Sequence, residues 1–184
     1  VLYHLQQQGE ASGVHPVTRL DRDTFGVVLL AKTANVHDQF CRMLRERQLE
    51  KTYLASVFGA PAQDEGTIDL PVYKVGGGSL IRIVDARGQK AVTEYRVLAH
   101  AAQTALLQLH PCTGRTHQLR LHCLASGFPI LGDPQYTTEA AKRYSDALGL
   151  ETQQLCAAKL AFPHPMTGKR IEICTEQTVF FKKD

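Results

Sequence analysis

Between Thr52 and Cys174 the chain keeps returning to short runs of apolar and β-branched residues, and this limits the fold more than any other feature. TYLASVFG (52–59), LIRIV (80–84), AVTEYRVL (91–98), ALLQLHP (105–111), LCAAKLAF (155–162) and RIEIC (170–174) have the length and composition of strands. Few of the intervals between them can hold a crossover helix, so most neighbours must pair antiparallel. The expected class is α+β, a mixed and mostly antiparallel central sheet with flanking helices and loops. VVLLA (27–31) reads as a further, buried strand. DARG (85–88) is expected to turn LIRIV back towards AVTEYRVL, as a hairpin or part of a meander, and GGG at 76–78 is a flexible turn. A Pro-His-Pro turn with Gly168 joins the last two strands.

Helices are fewer. Thr33 is placed to cap one in which Val36, Phe40, Met43 and Leu44 share a face, leaving Arg42, Arg45 and Arg47 on the other. Thr116 to Ser126 reads as a second, capped by Thr116 and ended by Gly127 at the left-handed C′ position. Residues 138–148 form a third, more exposed one, and residues 1–14 a polar, poorly anchored approach.

With 184 residues and no repeat or low-complexity linker, residues 1–184 are expected to be one domain. The chain starts at Val1 without a methionine, which leaves open a segment ahead of it. No apolar run reaches the length of a bilayer span. Five scattered cysteines, odd in number and without a Cys-x-x-Cys pair, suit reduced thiols in the cytoplasm. A net charge of +3 is only mildly basic, so an anionic partner must be argued from local clusters.

Two such clusters stand out. In HPVTRLDRDTFGVVLLAKT (15–33), Asp21 lies between Arg19 and Arg22 just ahead of an apolar run, which suits chemistry on an anionic substrate. Charges that neutralise one another in a turn are the plainer alternative. In TGRTHQLR (113–120), Arg115, His117, Gln118 and Arg120 crowd a helix start, where exposed amides attract phosphate. One arginine could hold phosphate while the other points into a pocket. Tyr53, in EKTYLASV, lies near a strand start. His110, Cys112, His117, His122 and Cys123 match no standard zinc spacing, and no nucleotide or dinucleotide motif occurs, so neither metal nor cofactor is expected.

RLDRDT with its apolar run, KTY, and GRTHQLR…GFPILGD occur in that order, and together they resemble the RluA-type branch of the RNA pseudouridine synthases. The likeness runs from about His15 to the final strands. It implies a basic cleft across a mixed sheet and cofactor-free isomerisation of uridine in RNA, most readily large-subunit ribosomal RNA, with tRNA as the variant. By resemblance Asp21 is the catalytic aspartate, Tyr53 the ring that stacks on the target base, and Arg120 the partner of the aspartate. Arg19 matches the arginine that takes the place of the flipped nucleotide, and Leu155 the apolar residue closing the base pocket. Arg22, Arg115, His117 and Gln118 join the expected RNA contacts. A cytoplasmic monomer with no membrane partner is expected. The rivals are an idle RNA-binding domain of the same fold and a glycosidase using Asp21 with Asp23.

Overall fold

The computed structural model describes residues 1–8, 13–76 and 80–182. In chain order the elements are α1 (Leu2–Gln7), β1 (His15–Pro16), β2 (Phe25–Gly26), β3 (Leu30–Ala31), α2 (Ala34–Arg45), β4 (Glu50–Phe58), β5 (Glu65–Asp69), β6 (Val72–Lys74), β7 (Arg82–Val84), β8 (Val92–His100), β9 (Thr104–Pro111), α3 (Gln118–Ala125), α4 (Glu139–Ala147), β10 (Leu155–Pro163) and β11 (Arg170–Cys174). A seven-stranded sheet runs β11-β10-β4-β9-β8-β5, with β2 added to β10. Every pairing in it is antiparallel except β2 with β10. The expected α+β class is the one observed, and none of the described helices is long and apolar enough to cross a membrane.

Several local expectations are corrected. VVLLA is not one strand: Phe25–Gly26 joins β10, residues 27–29 are irregular, and Leu30–Ala31 pairs with His15–Pro16 in a separate two-stranded sheet. The split follows from Gly26, which has φ +114° and lies so close to Ala157 that a Cβ would collide with its carbonyl. Val27 and Leu29 still pack inward, whereas Val28 is exposed. LIRIV contributes only Arg82–Val84, and its partner is β6 rather than β8. The main-sheet edges of β8 are already taken by β5 and β9. Gly77 and Gly78 of the GGG turn lie outside the described residues. The N-terminal approach is better anchored than expected, since Leu2–Gln7 is helical and Leu5 is buried.

The sheet face that matters can be read along β4. Alternation sends Leu49, Lys51, Tyr53, Ala55 and Val57 to the same side. Ala55 and Val57 lie in a core with Leu107, Leu109, Leu155, and Leu119 and Cys123 of α3. Leu49 lies in a second core beneath α2, with Phe40, Leu160 and Phe162. A bulge in β10 between Ala157 and Lys159 makes this possible, because it turns Leu160 onto the side already occupied by Ala157. The rings of Phe40 and Phe162 meet edge to face at 5.2 Å, and burial of each stabilises by about 1.5–3 kcal/mol. Thr33 caps α2 as expected, its Oγ1 accepting the Val36 N–H at 3.3 Å. The two cores thus cover both ends of the face and leave the stretch at Lys51 and Tyr53 open.

Candidate active site

That opening is a cavity of about 870 Å³. Its lining includes Arg19, Asp21, Tyr53, Arg115, His117, Gln118 and Leu155, residues spread over four separate parts of the chain. Arg22 is not among them. It is almost fully exposed outside the cavity lining and pairs with Asp23 at 3.5 Å.

Asp21 opens a tight turn in which the Thr24 N–H donates to its carbonyl at 3.0 Å. The loop is cinched at its base, where Leu29 N–H donates to Thr18 Oγ1 at 2.9 Å and Val17 N–H donates to the Leu29 carbonyl at 3.0 Å. Buried Gln153 reaches in to donate to Thr24 Oγ1 at 3.1 Å. The carboxylate is therefore fixed by backbone on both sides, and its side chain is 25% exposed to the cavity.

Arg120 stands behind it. Its Nη1 donates to Asp21 Oδ2 at 3.4 Å, while Nε and Nη2 grip Asp133 at 2.6 and 2.8 Å. The Arg120 and Asp133 side chains are 6% and 0% exposed, so this is a buried two-pronged pair with one guanidinium nitrogen left for Asp21. Burial opposes the charge on Arg120, but the bond to Asp133 and the fields of both carboxylates more than offset it, leaving its pKa above the ordinary value. Asp133 is itself held by the N–H groups of Gln135 and Tyr136, both at 2.9 Å. The guanidinium also lies 5.0 Å above the Tyr136 ring. The Tyr136 hydroxyl accepts the Arg82 N–H at 2.9 Å and meets His117 Nδ1 at 3.0 Å.

Tyr53 stands at the edge of the first core, beside the carboxylate. Burial, and after it the charge of Asp21, pushes its hydroxyl up to about 12, so it is a neutral phenol at working pH.

The start of α3 differs from expectation. The cap position is His117, not Thr116, and it is left-handed at φ 56° without a side-chain cap bond. Loop geometry replaces the cap. Gln118 Oε1 accepts the Thr113 hydroxyl at 2.8 Å and the Arg115 N–H at 3.0 Å, while its Nε2 donates to the Val92 carbonyl and Thr93 Oγ1. Gln118 is buried with both ends of its amide bonded inside the protein, so at the cavity lining it braces the loop. Arg115 is exposed at the rim, and Gly127 supplies the left-handed turn at the other end of the helix as expected. His117 is half-buried, which lowers its pKa against the pull of Asp21. His122 is a buried core residue bonded to Thr93 and the Leu70 carbonyl.

Three residues of the site escaped the sequence reading. Asp133 and Tyr136 stand behind Arg120, and Lys51 lies on the open part of the floor. Asp133 had a signal, as the carboxylate that ends GFPILGD; the other two had none beyond their place in or near quoted motifs.

A family model described as RNA pseudouridylate synthase matches residues 2–125. The chain is 40% identical over 164 residues to the dual-specificity RNA pseudouridine synthase RluA of Yersinia pestis, across 88% of this chain and 80% of that one. It is 33% identical over 186 residues to the ribosomal large subunit pseudouridine synthase D of Zymomonas mobilis, covering 96% of this chain but only 58% of that one. Among solved structures, human RNA pseudouridylate synthase domain containing 1 superposes with a TM-score of 0.76 at 27% identity, over 90% of this chain and 69% of that one.

Proposed function

The chain belongs to the RNA pseudouridylate synthase family, and on that premise we propose that it isomerises specific uridines of large-subunit ribosomal RNA to pseudouridine. The observation that carries the proposal is the Asp21 carboxylate, held 3.4 Å from Arg120 at the wall of a cavity that also holds Tyr53. The relative named for the ribosomal large subunit supports the choice of RNA.

In this reaction the N1–C1′ bond breaks, the uracil turns, and C5 bonds to C1′. C5 gives up its hydrogen and N1 gains one, so composition is unchanged. The target nucleotide must first leave its stack, at a cost of about a few kcal/mol. Arg19, exposed at the cleft, is the residue proposed to fill the vacated space. Asp21 acts on the sugar, either by attack on C1′ or by taking the C2′ proton, and Arg120 keeps it aimed. Tyr53 stacks on the detached uracil, and Leu155 closes the apolar side of the pocket. Arg115 and His117, also in the cavity lining, contact the RNA strand. The working unit is taken as a cytoplasmic monomer, and the five free thiols support a reducing setting.

A purified large-subunit ribosomal RNA transcript incubated with the protein is expected to yield pseudouridine at discrete positions. Release of free uracil instead, or no product in any RNA, would overturn the reading. Asp23 already weighs against the glycosidase alternative, since it pairs with Arg22 outside the cavity lining. The name of the Yersinia relative favours a second reading in which more than one RNA is modified. Parallel reactions on tRNA transcripts test that reading.

The stacking role makes a separate prediction. Tyr53→Phe keeps the ring and should stay within a few-fold of wild-type turnover. Tyr53→Ala should lose about 1–3 kcal/mol, roughly 5- to 150-fold in rate. Because the hydroxyl titrates only at about 12, the rate profile should carry no Tyr53 limb below about pH 11. An alkaline limb that disappears in Tyr53→Phe would contradict this.

A further inference from the structure

Resting on the reading of the cavity as an RNA site, we propose that Lys51 holds a phosphodiester of the substrate strand next to the target nucleotide. Lys51 occupies the part of the β4 face that neither core covers, one pleat repeat and about 7 Å along the strand from Tyr53. It is half-buried, and no carboxylate pairs with it among the described residues. Burial alone pulls its pKa below the ordinary lysine value, with no nearby charge acting in either direction. The adjoining carboxylate, Glu50, also borders the cavity but is engaged by Arg170, which grips it at 2.9 and 3.1 Å. An ammonium kept partly dry without a counter-ion is destabilising on its own terms and becomes favourable when an anion arrives.

Gly114 supplies the second observation. A Cβ built there meets one atom within 4 Å, the Nζ of Lys51, at 3.7 Å, and its φ lies outside the left-handed range. Neither backbone conformation nor packing requires glycine at this position. What its missing side chain does is leave the ammonium open on the side of the Thr113–Arg115 loop. RNA presents one negative charge per nucleotide, and Lys51 lies close enough to Tyr53 for one nucleotide and its neighbouring phosphate to touch both.

The test is equilibrium binding of the large-subunit ribosomal RNA transcript at several salt concentrations, with turnover measured in parallel. Lys51→Gln should weaken binding about tenfold and reduce the slope of log affinity against log salt by about 0.7. Lys51→Arg should keep the wild-type slope. Gly114→Asp leaves the lysine in place but supplies a competing carboxylate, and should reproduce the Lys51→Gln slope even if that variant folds poorly. Wild-type slopes in both Lys51→Gln and Gly114→Asp would overturn the proposal, as would a kcat loss with slope unchanged. If wild-type protein makes no pseudouridine, the functional reading fails instead, whatever the slopes are.

Discussion

Asp21→Asn is expected to abolish pseudouridine formation, with a rate loss of at least about 10²- to 10⁴-fold, while RNA affinity stays within about twofold. Asparagine has the shape of aspartate, and its amide oxygen can still accept from Arg120 Nη1, so the loop need not move. What it lacks is the charge needed either to attack C1′ or to take a proton from C2′. Nucleoside analysis of digested RNA measures the product, and filter binding measures affinity. A variant that still forms pseudouridine at the wild-type rate would remove Asp21 from the chemistry. One that loses affinity and product in equal measure would recast it as a binding residue, as in the idle-domain alternative.

The second large effect concerns the pair behind the carboxylate. Asp133→Ala leaves Arg120, 6% exposed, with Nε and Nη2 buried and unpartnered. Breaking a buried ion pair from one side costs about 3–5 kcal/mol, which for a domain of this size lowers Tm by roughly 6–20 °C. Activity should fall as well, because the freed guanidinium can swing round to meet Asp21 with two nitrogens in place of one. The double variant Asp133→Ala/Arg120→Leu separates the two losses. Removing both charges should recover much of the stability, yet turnover should stay low because Asp21 then has no counter-charge. Recovery of turnover along with Tm would show that the pair serves the fold alone. Arg120→Lys is also expected to fail, since a single ammonium cannot bridge two carboxylates on different loops.

Asp21, Tyr53 and Arg120 could be named from the sequence only through the resemblance carried by their three ordered motifs, since composition by itself marks out no more than the two charged segments around Asp21 and Arg120. The first of these is a carboxylate among arginines ahead of apolar residues. The strands between Thr52 and Cys174 were legible because a core imposes its pattern on every residue that faces it. Three failures share a cause, which is that each depends on a distant part of the chain. VVLLA has the composition of one strand, but the close approach of Gly26 to Ala157 divides it between two sheets. Thr116 has the chemistry of a cap, yet the Gln118 bonds to Val92 and Thr93 draw the helix start one residue onward. Asp133 is an ordinary acid at the end of a loop until the fold sets it against Arg120, thirteen residues earlier. Lys51 is the same kind of case: it becomes informative only once the two cores are seen to stop on either side of it.

Ala157 has a consequence for how the site can vary. It pairs with Gly26 on one edge of its strand and with Tyr53 on the other. The segment carrying the aspartate and the segment carrying the ring are therefore gauged against a single residue, across two ladder spacings of about 10 Å in all. The bulge follows immediately, and past it the same edge of β10 is handed over to β11. Chain length gained or lost in the Pro163–Arg170 hairpin is absorbed beyond that irregularity and leaves the gauge as it was. A residue inserted between Gln153 and Ala157 would reset it for both partners at once. A lineage of such proteins is free to remodel the far hairpin, but must keep count up to one alanine.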